Sequence, residues 1–108
     1  MAIDPRREIG KIGENAATKY LEDNGYKVLS RNWTTRLGEL DIIATDDEFL
    51  IFVEVRTTSG TEFGYGFQSV DFRKQHKVRR LALQYLQHHH LESKPLRFDV
   101  ISVLIGQD

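Results

Sequence analysis

Two apolar stretches, Gly38-Glu39-Leu40-Asp41-Ile42-Ile43-Ala44 and Leu50-Ile51-Phe52-Val53-Glu54-Val55-Arg56, flank the polar Asp46-Asp47-Glu48. Both are rich in β-branched and aromatic residues, so the pattern predicts a β-hairpin. Side chains alternate across a strand, which places Glu39, Asp41 and Ile43 on one face and Leu40, Ile42 and Ala44 on the other. On the partner strand Leu50, Phe52, Glu54 and Arg56 alternate with Ile51, Val53 and Val55. One face of the hairpin is then wholly apolar. The other is apolar near the turn and carries Glu39, Asp41, Glu54 and Arg56 at the open end.

Pairing centred on Asp46-Asp47 sets Asp41 opposite Phe52 and diagonal to Glu54. Diagonal neighbours lie roughly 7–8 Å apart, close enough for two carboxylates to converge on one cation. Two acids so placed repel unless a cation or proton intervenes. The competing reading is a pair of surface acids held by nearby arginines.

At 108 residues the chain is expected to form one domain that buries about two-thirds of its unfolded surface. Its 40% hydrophobic content suits a soluble globule. No apolar run approaches the roughly 20 residues of a membrane span, and the charged N-terminal stretch has no secretory core. The absence of cysteine excludes disulfides and thiolate metal sites and is compatible with a cytoplasmic protein. A net charge of −1 argues against indiscriminate coating of nucleic acid, so the local charge distribution matters.

Asp4-Pro5 is expected to open a first helix, Asp as cap and Pro in its first turn. Ile9, Ile12, Gly13, Ala16, Ala17, Tyr20 and Leu21 recur at helical spacing as its buried stripe, and Asn24-Gly25 ends it. Glu14 sits among small residues that allow close approach to a sheet, so it either reaches a site at the sheet's end or points to solvent. Tyr26 through Trp33 reads as a strand, with Trp33 packing, and 34–38 as a short turn. Residues 57–69 are expected to be an irregular loop. Its Phe63, Tyr65 and Phe67, spaced by glycines, suit either a flap beside the site or a cover for a sheet edge.

Asp71 through His90 is expected to be the second long helix, with Val78, Leu81, Ala82, Tyr85 and Leu86 buried. Lys74 lies one turn before Val78 and points inward, while Lys77 and Arg80 lie outward. Arg73, Lys74, Lys77, Arg79 and Arg80 against Asp71 form a compact basic face, the footprint of a phosphate-backbone binder or simply a solvated helix face. His88-His89-His90 is expected to be a fraying helix end, because consecutive helical residues point in three directions and do not clamp a metal. Leu96 to Ile105 is the last strand, with Phe98, Val100 and Leu104 on one face and an Arg97–Asp99 ion pair on the other.

The order helix, strand, hairpin, helix, strand, with Asp41 followed by Glu54-Val55-Arg56, resembles the PD-(D/E)xK nuclease core. The pieces Gly13-Glu14-Asn15-Ala16-Ala17, Gly25-Tyr26, Gly38-Glu39-Leu40-Asp41, Phe52-Val53-Glu54-Val55-Arg56, Lys74 with Tyr85-Leu86, and Arg97-Phe98-Asp99-Val100 more closely resemble the YraN-like, endonuclease-related family, itself similar to archaeal Holliday-junction resolvases. The resemblance implies a restriction-endonuclease-like α/β/α core, a mixed sheet flanked by two long helices. It implies Asp41 and Glu54 as ligands of Mg²⁺ or Mn²⁺, with Glu14 as the first helix's acid. Branched or structured DNA is the implied substrate, bound along Arg73, Lys77, Arg79 and Arg80. A homodimer is compatible with this reading, and no membrane partner is expected.

Hard carboxylate oxygens suit Mg²⁺, and phosphodiester hydrolysis is the implied reaction. This chain departs from the pattern at Arg56, where such nucleases carry Lys. A desolvated Lys can lose its proton, whereas an Arg stays charged and is a poor general base. Arg56 can still orient water and stabilise charge, and Lys74 is placed to supply the amine. Three readings remain: a metal-dependent endonuclease, a catalytically decayed nuclease-fold module that binds nucleic acid, and a protein-docking domain.

Overall fold

The computed structural model describes residues 5–59, 72–89 and 94–106, with Pro5, Ser59, Phe72, Arg73 and Lys74 described by backbone alone. Asp4, Asp71, His90 and the expected flap aromatics Phe63, Tyr65 and Phe67 lie outside the described residues. The elements are α1 (Pro5–Asp23), β1 (Lys27–Thr35), β2 (Gly38–Thr45), β3 (Leu50–Ser59), α2 (Phe72–His88) and β4 (Leu96–Ile105). The four strands form one mixed sheet in the order β1-β2-β3-β4: the first three pair antiparallel, and β4 runs parallel to β3.

A helix lies on each face, as the α/β/α expectation required. Leu81, Ala82 and Tyr85 of α2 pack on Leu40, Ile43, Leu50 and Phe52, with Trp33, Val78 and Leu86 at the margin. Ala17 and Leu21 of α1 pack on Ile42, Ala44, Ile51 and Val53. Each large apolar side chain fully buried here contributes roughly 1.5–3 kcal/mol. Arg97 and Asp99 form the expected ion pair at 2.9 Å, and the Arg97 guanidinium also lies over the rings of Tyr26 and Phe49. Among the described residues no helix is long and apolar enough to cross a membrane.

The hairpin register differs from the expected one by two residues. Ile42 pairs with Val53 and Ile43 with Phe52, so Asp41 does not face Phe52; continuing the ladder would set it across from Glu54. The cause is local. Asp46 Oδ1 accepts from the backbone N–H groups of Glu48 (2.8 Å) and Phe49 (2.6 Å), holding residues 46–49 in the loop and closing the ladder at Thr45–Leu50.

Strict alternation also fails along β2. Leu40 joins Ile43 in the α2-side core, while Ile42 and Ala44 join the α1-side core. The faces switch around Asp41, beside Asn32 of β1, whose φ of 52° is left-handed. Asn tolerates that region better than most residues. β1 also runs past Trp33 to Thr35, leaving Arg36-Leu37 as the turn, and 57–59 are strand rather than loop, paired with Val103 to Ile105.

The buried line of α1 is narrower than the periodicity suggested. Ile12 and Tyr20 are exposed at 52% and 59%, and Ala16 is exposed too. The helix rests on Gly13, Ala17 and Leu21 because it seats closely on β3 at Gly13, where an added Cβ would collide with the Thr57 side chain, 2.8 Å from its Cβ. Gly10, one turn earlier, has nothing within 4 Å of such a Cβ.

The two glycines therefore predict substitutions of opposite sign. Gly10→Ala should stabilise by up to about 1 kcal/mol, because Gly is the poorer helix former. Gly13→Ala should destabilise by about 1–3 kcal/mol through overpacking. Thermal melts resolve both, since 1 kcal/mol moves Tm by roughly 4–8 °C in a domain of this size. Two shifts of the same sign would contradict the close approach at Gly13.

Candidate metal and nucleic-acid site

The pairing of β2 with β3 reaches Ile42–Val53. Past it, Asp41 Oδ2 accepts the Val55 backbone N–H at 2.8 Å. A side-chain carboxylate has taken the donor that a ladder carbonyl would otherwise take, which fixes the Asp41 carboxyl group between two strands. Glu39, two residues back on β2, and Glu14, next to the close-approach residue of α1, converge on the same point. One carboxylate oxygen from each of Glu14, Glu39 and Asp41 lies within 4.8 Å of the others.

Asn32 ties the cluster together. With its amide nitrogen turned toward the acids, it donates to Glu39 Oε1 (2.7 Å) and Glu14 Oε1 (2.5 Å). The Glu14 carboxyl is pushed above the ordinary glutamate range, first by burial and then by the charge of Asp41, with a further push from Glu39. Arg31 and the Asn32 hydrogen bond pull it partly back. Arg31 is itself held by Asn15 Oδ1 at 2.8 Å. A cavity of about 890 Å³ opens over the acids, lined among others by Arg6, Arg7, Lys11 and Arg31. The acids thus share a cleft with four cations.

Glu54 stands apart from this trio. Its Oε1 lies 3.4 Å from Arg56 Nη2, and both side chains are about four-fifths buried. Arg56 Nε and Nη2 have no hydrogen-bond acceptor among the described residues. Glu54 lines a second cavity of about 510 Å³, which Glu39 and Asp41 also border and which α2 flanks with Lys77 and Arg79. Lys77 crosses Gly38 so closely that a Cβ there would stand 2.6 Å from its Cε. Arg79 and Arg80 are exposed. Arg73 and Lys74 lie in the first turn of α2, and their side chains are outside the described set.

The structure thus brings Asp41 together with Glu14 and Glu39, and Glu54 lines the second cavity, which Glu39 and Asp41 share. Sequence reasoning did not single out Glu39, Asn32 or the N-terminal cations. Glu39 had a signal, since it shares a strand face with Asp41. Arg7 and Lys11 had another, one helical turn apart and ahead of Glu14. Nothing in the spacing marked Asn32. His88 and His89 are not among the metal-competent groups of the described residues, and their rings pack on Trp33 and Tyr85.

The raised Glu14 carboxyl makes a pH prediction. Between the ordinary glutamate value of 4.5 and the higher folded value, the native state holds a proton that the unfolded chain has lost. Stability should therefore fall as pH rises through that window, and the penalty should be complete above it. In metal-free buffer, Glu14→Gln should flatten this slope above pH 4.5 and raise Tm at the upper end of the window relative to wild type. Parallel melts across that range check it, and an unchanged slope would contradict the crowding of the three acids.

A profile of the family described as "Uncharacterised protein family UPF0102" matches residues 13–103. The chain is 45% identical over 105 residues to a UPF0102 protein of Pelotomaculum thermopropionicum, covering 97% of this chain and 88% of that one. It is 50% identical over 99 residues to a UPF0102 protein of Myxococcus xanthus, covering 92% and 79%. A third, from Moorella thermoacetica, is 48% identical over 102 residues, covering 94% and 85%. The match takes in all three acids, the Asn32 brace and the sheet that carries them, and the chain belongs to the UPF0102 family.

Proposed function

We propose that this protein is a metal-dependent endonuclease of the PD-(D/E)xK class, hydrolysing phosphodiesters in branched or structured DNA with Mg²⁺ or Mn²⁺. The observation that carries this reading is the convergence of Glu14, Glu39 and Asp41 oxygens within 4.8 Å, beneath a cleft lined by cations. The donor set fits the ion. Mg²⁺ takes oxygen ligands at about 2.0–2.1 Å, so two oxygens on opposite sides of it stand about 4.2 Å apart. The three oxygens lie within 4.8 Å of one another, so the carboxylates would draw in by roughly 0.6 Å or more to hold such an ion.

Such an ion supplies charge neutralisation at the phosphate and activation of water. The chain's own residues do the rest. Asn32 orients Glu14 and Glu39, and the Val55 N–H orients Asp41. Arg6, Arg7, Lys11 and Arg31 on one side, with Lys77 and Arg79 on the other, offer positive charge to two stretches of phosphate backbone. Arg56, its Nε and Nη2 buried, lies beside Glu54 and balances that carboxylate's charge. Lys74, in the first turn of α2, remains the candidate amine for proton transfer.

One observation favours a second reading, a nuclease fold retained for binding. Arg56 occupies the lysine position of the motif, and Glu54 is paired with it rather than joined to the trio.

Two measurements decide. Millimolar Mn²⁺ should raise Tm, by about 2.7 kcal/mol of stability at a hundredfold excess over Kd. The shift should vanish in Asp41→Asn; an equal shift in both proteins would remove the metal site. In single-turnover assays on branched DNA, wild type should show slow Mn²⁺-dependent cleavage that is lost in Asp41→Asn and in Glu54→Gln. Arg56→Lys should raise the rate within the roughly 10²- to 10⁴-fold range of a general acid–base group. If Lys74 supplies the amine, Arg56→Lys should change little and Lys74→Ala should abolish cleavage while sparing the Mn²⁺ shift. DNA binding without cleavage by wild type or Arg56→Lys would establish the second reading. Absence of salt-dependent DNA binding would leave the protein-docking one.

A further inference from the structure

On the α2 side of the sheet the exposed face of β4 carries Phe98, Val100 and Leu104, 45%, 40% and 54% exposed. Phe98 pairs in register with Phe52 of β3, and the two rings stack at 5.5 Å with an interplanar angle of 23°. Phe52 is 2% exposed, so the stack is anchored from beneath by a core residue. Both rings line a cavity of about 510 Å³ that Val78 and Leu81 of α2 and the acids Glu39, Asp41, Glu54 and Asp99 also line. Gln75, Lys77 and Arg79 also line it, and all three are exposed.

These features make an amphipathic receptacle. Its floor is aromatic, its helix side carries two cations and an amide, and it opens beside the acid trio through the shared Glu39 and Asp41. Small-molecule pockets span roughly 300–1,000 Å³ and combine an apolar lining with a few placed polar groups. A planar heterocycle attached to a phosphate matches that combination, and an aliphatic chain or an acidic peptide does not. In a paired duplex the bases are stacked inside and cannot enter. In a single strand, flap or junction they can.

Resting on the nuclease reading, we infer that this cavity is a nucleobase pocket, in which Phe98 stacks an unpaired base of the substrate while Lys77 and Arg79 take its phosphates. Phe98 would then be a specificity residue that favours unpaired over paired DNA. Stacking on an aromatic side chain is sequence-tolerant, because every base has a π-face. The pocket should therefore recognise the presence of a base and not its identity.

The test separates base from backbone. Fluorescence anisotropy compares a labelled oligo-dT 15-mer, an abasic 15-mer with the same phosphates, and a fully paired duplex, at low salt with Ca²⁺ in place of Mg²⁺. Wild type should bind oligo-dT about 5- to 150-fold more tightly than the abasic strand, the range given by one stacked base. Phe98→Ala and Phe98→Leu should erase that preference while leaving abasic and duplex affinity unchanged, and Phe98→Tyr should keep it. Lys77→Ala should weaken all three ligands. Circular dichroism and melts confirm that the variants fold, and Phe98→Leu keeps most of the apolar packing in case the alanine variant does not. Equal wild-type affinity for oligo-dT and abasic strand, or a preference that survives both Phe98 substitutions, overturns the pocket while leaving the nuclease reading standing. No binding to any of the three overturns both. A change in sedimentation behaviour of Phe98→Ala without a change in base preference would assign the β4 face to contact with a second copy of the chain, and also overturns the pocket.

Discussion

Beyond Ile42 and Val53 the antiparallel pairing of the two central strands gives way, and the Val55 N–H is met by the Asp41 carboxylate. A backbone donor at this depth must be satisfied, and leaving it unmet would cost about 1–3 kcal/mol. Using a side chain for the purpose has a second effect. Asp41 is freed from strict alternation and comes to border both cavities, the one under α1 and the one under α2. Everything chemical in the molecule lies around that interruption.

The acids are tolerated because of what surrounds them. Glu14, Glu39 and Asp41 repel one another, and burial makes the charge on Glu14 costlier still. Arg31, positioned by Asn15, and the Asn32 amide, which bridges Glu14 and Glu39, offset part of that cost. Glu54 is treated differently, with a guanidinium of its own on the same strand. Two neighbouring carboxylate environments result, one in which three acids share a cleft with several cations and one in which a single acid is paired with an arginine of its own strand. On a chain of net charge −1, this separation and not the overall balance is what matters electrostatically.

The sequence was most legible where local periodicity and burial agree. The stripe of α2 from Val78 to Leu86, the end of α1 at Gly25 (φ 86°) and the span of β4 could all be read directly. It was least legible where one side chain reset the geometry. The Asp46 oxygen that holds Glu48 and Phe49 in the loop moves the register by two residues, and propensity does not report that choice. The left-handed Asn32 is another such point, since Asn is tolerated there but not required. Ile12 and Tyr20 show the limit of a helical period: it marks apolar positions, and only the seat of Gly13 on Thr57 decides which of them turn inward. Glu39 was visible at the polar end of the hairpin, but its nearness to Glu14 depends on the switch of faces around Asp41 and on how α1 lies across the sheet.

The parallel pairing of β4 with β3 bears on how the molecule assembles. Each partner pair in that ladder, from Leu50–Leu96 to Ser59–Ile105, is separated by about 46 residues of chain, whereas the β1–β2 and β2–β3 turns close over a handful. The chain entropy of closing so long a loop must be met before any of those contacts rewards it, and non-local pairing of this kind slows folding. On this ground the three-stranded meander is expected to form first, with β4 docking onto its edge afterwards. The backbone around Asp41 and Asn32 belongs wholly to that early meander. The half-open face at Phe98 is completed only when the last strand arrives.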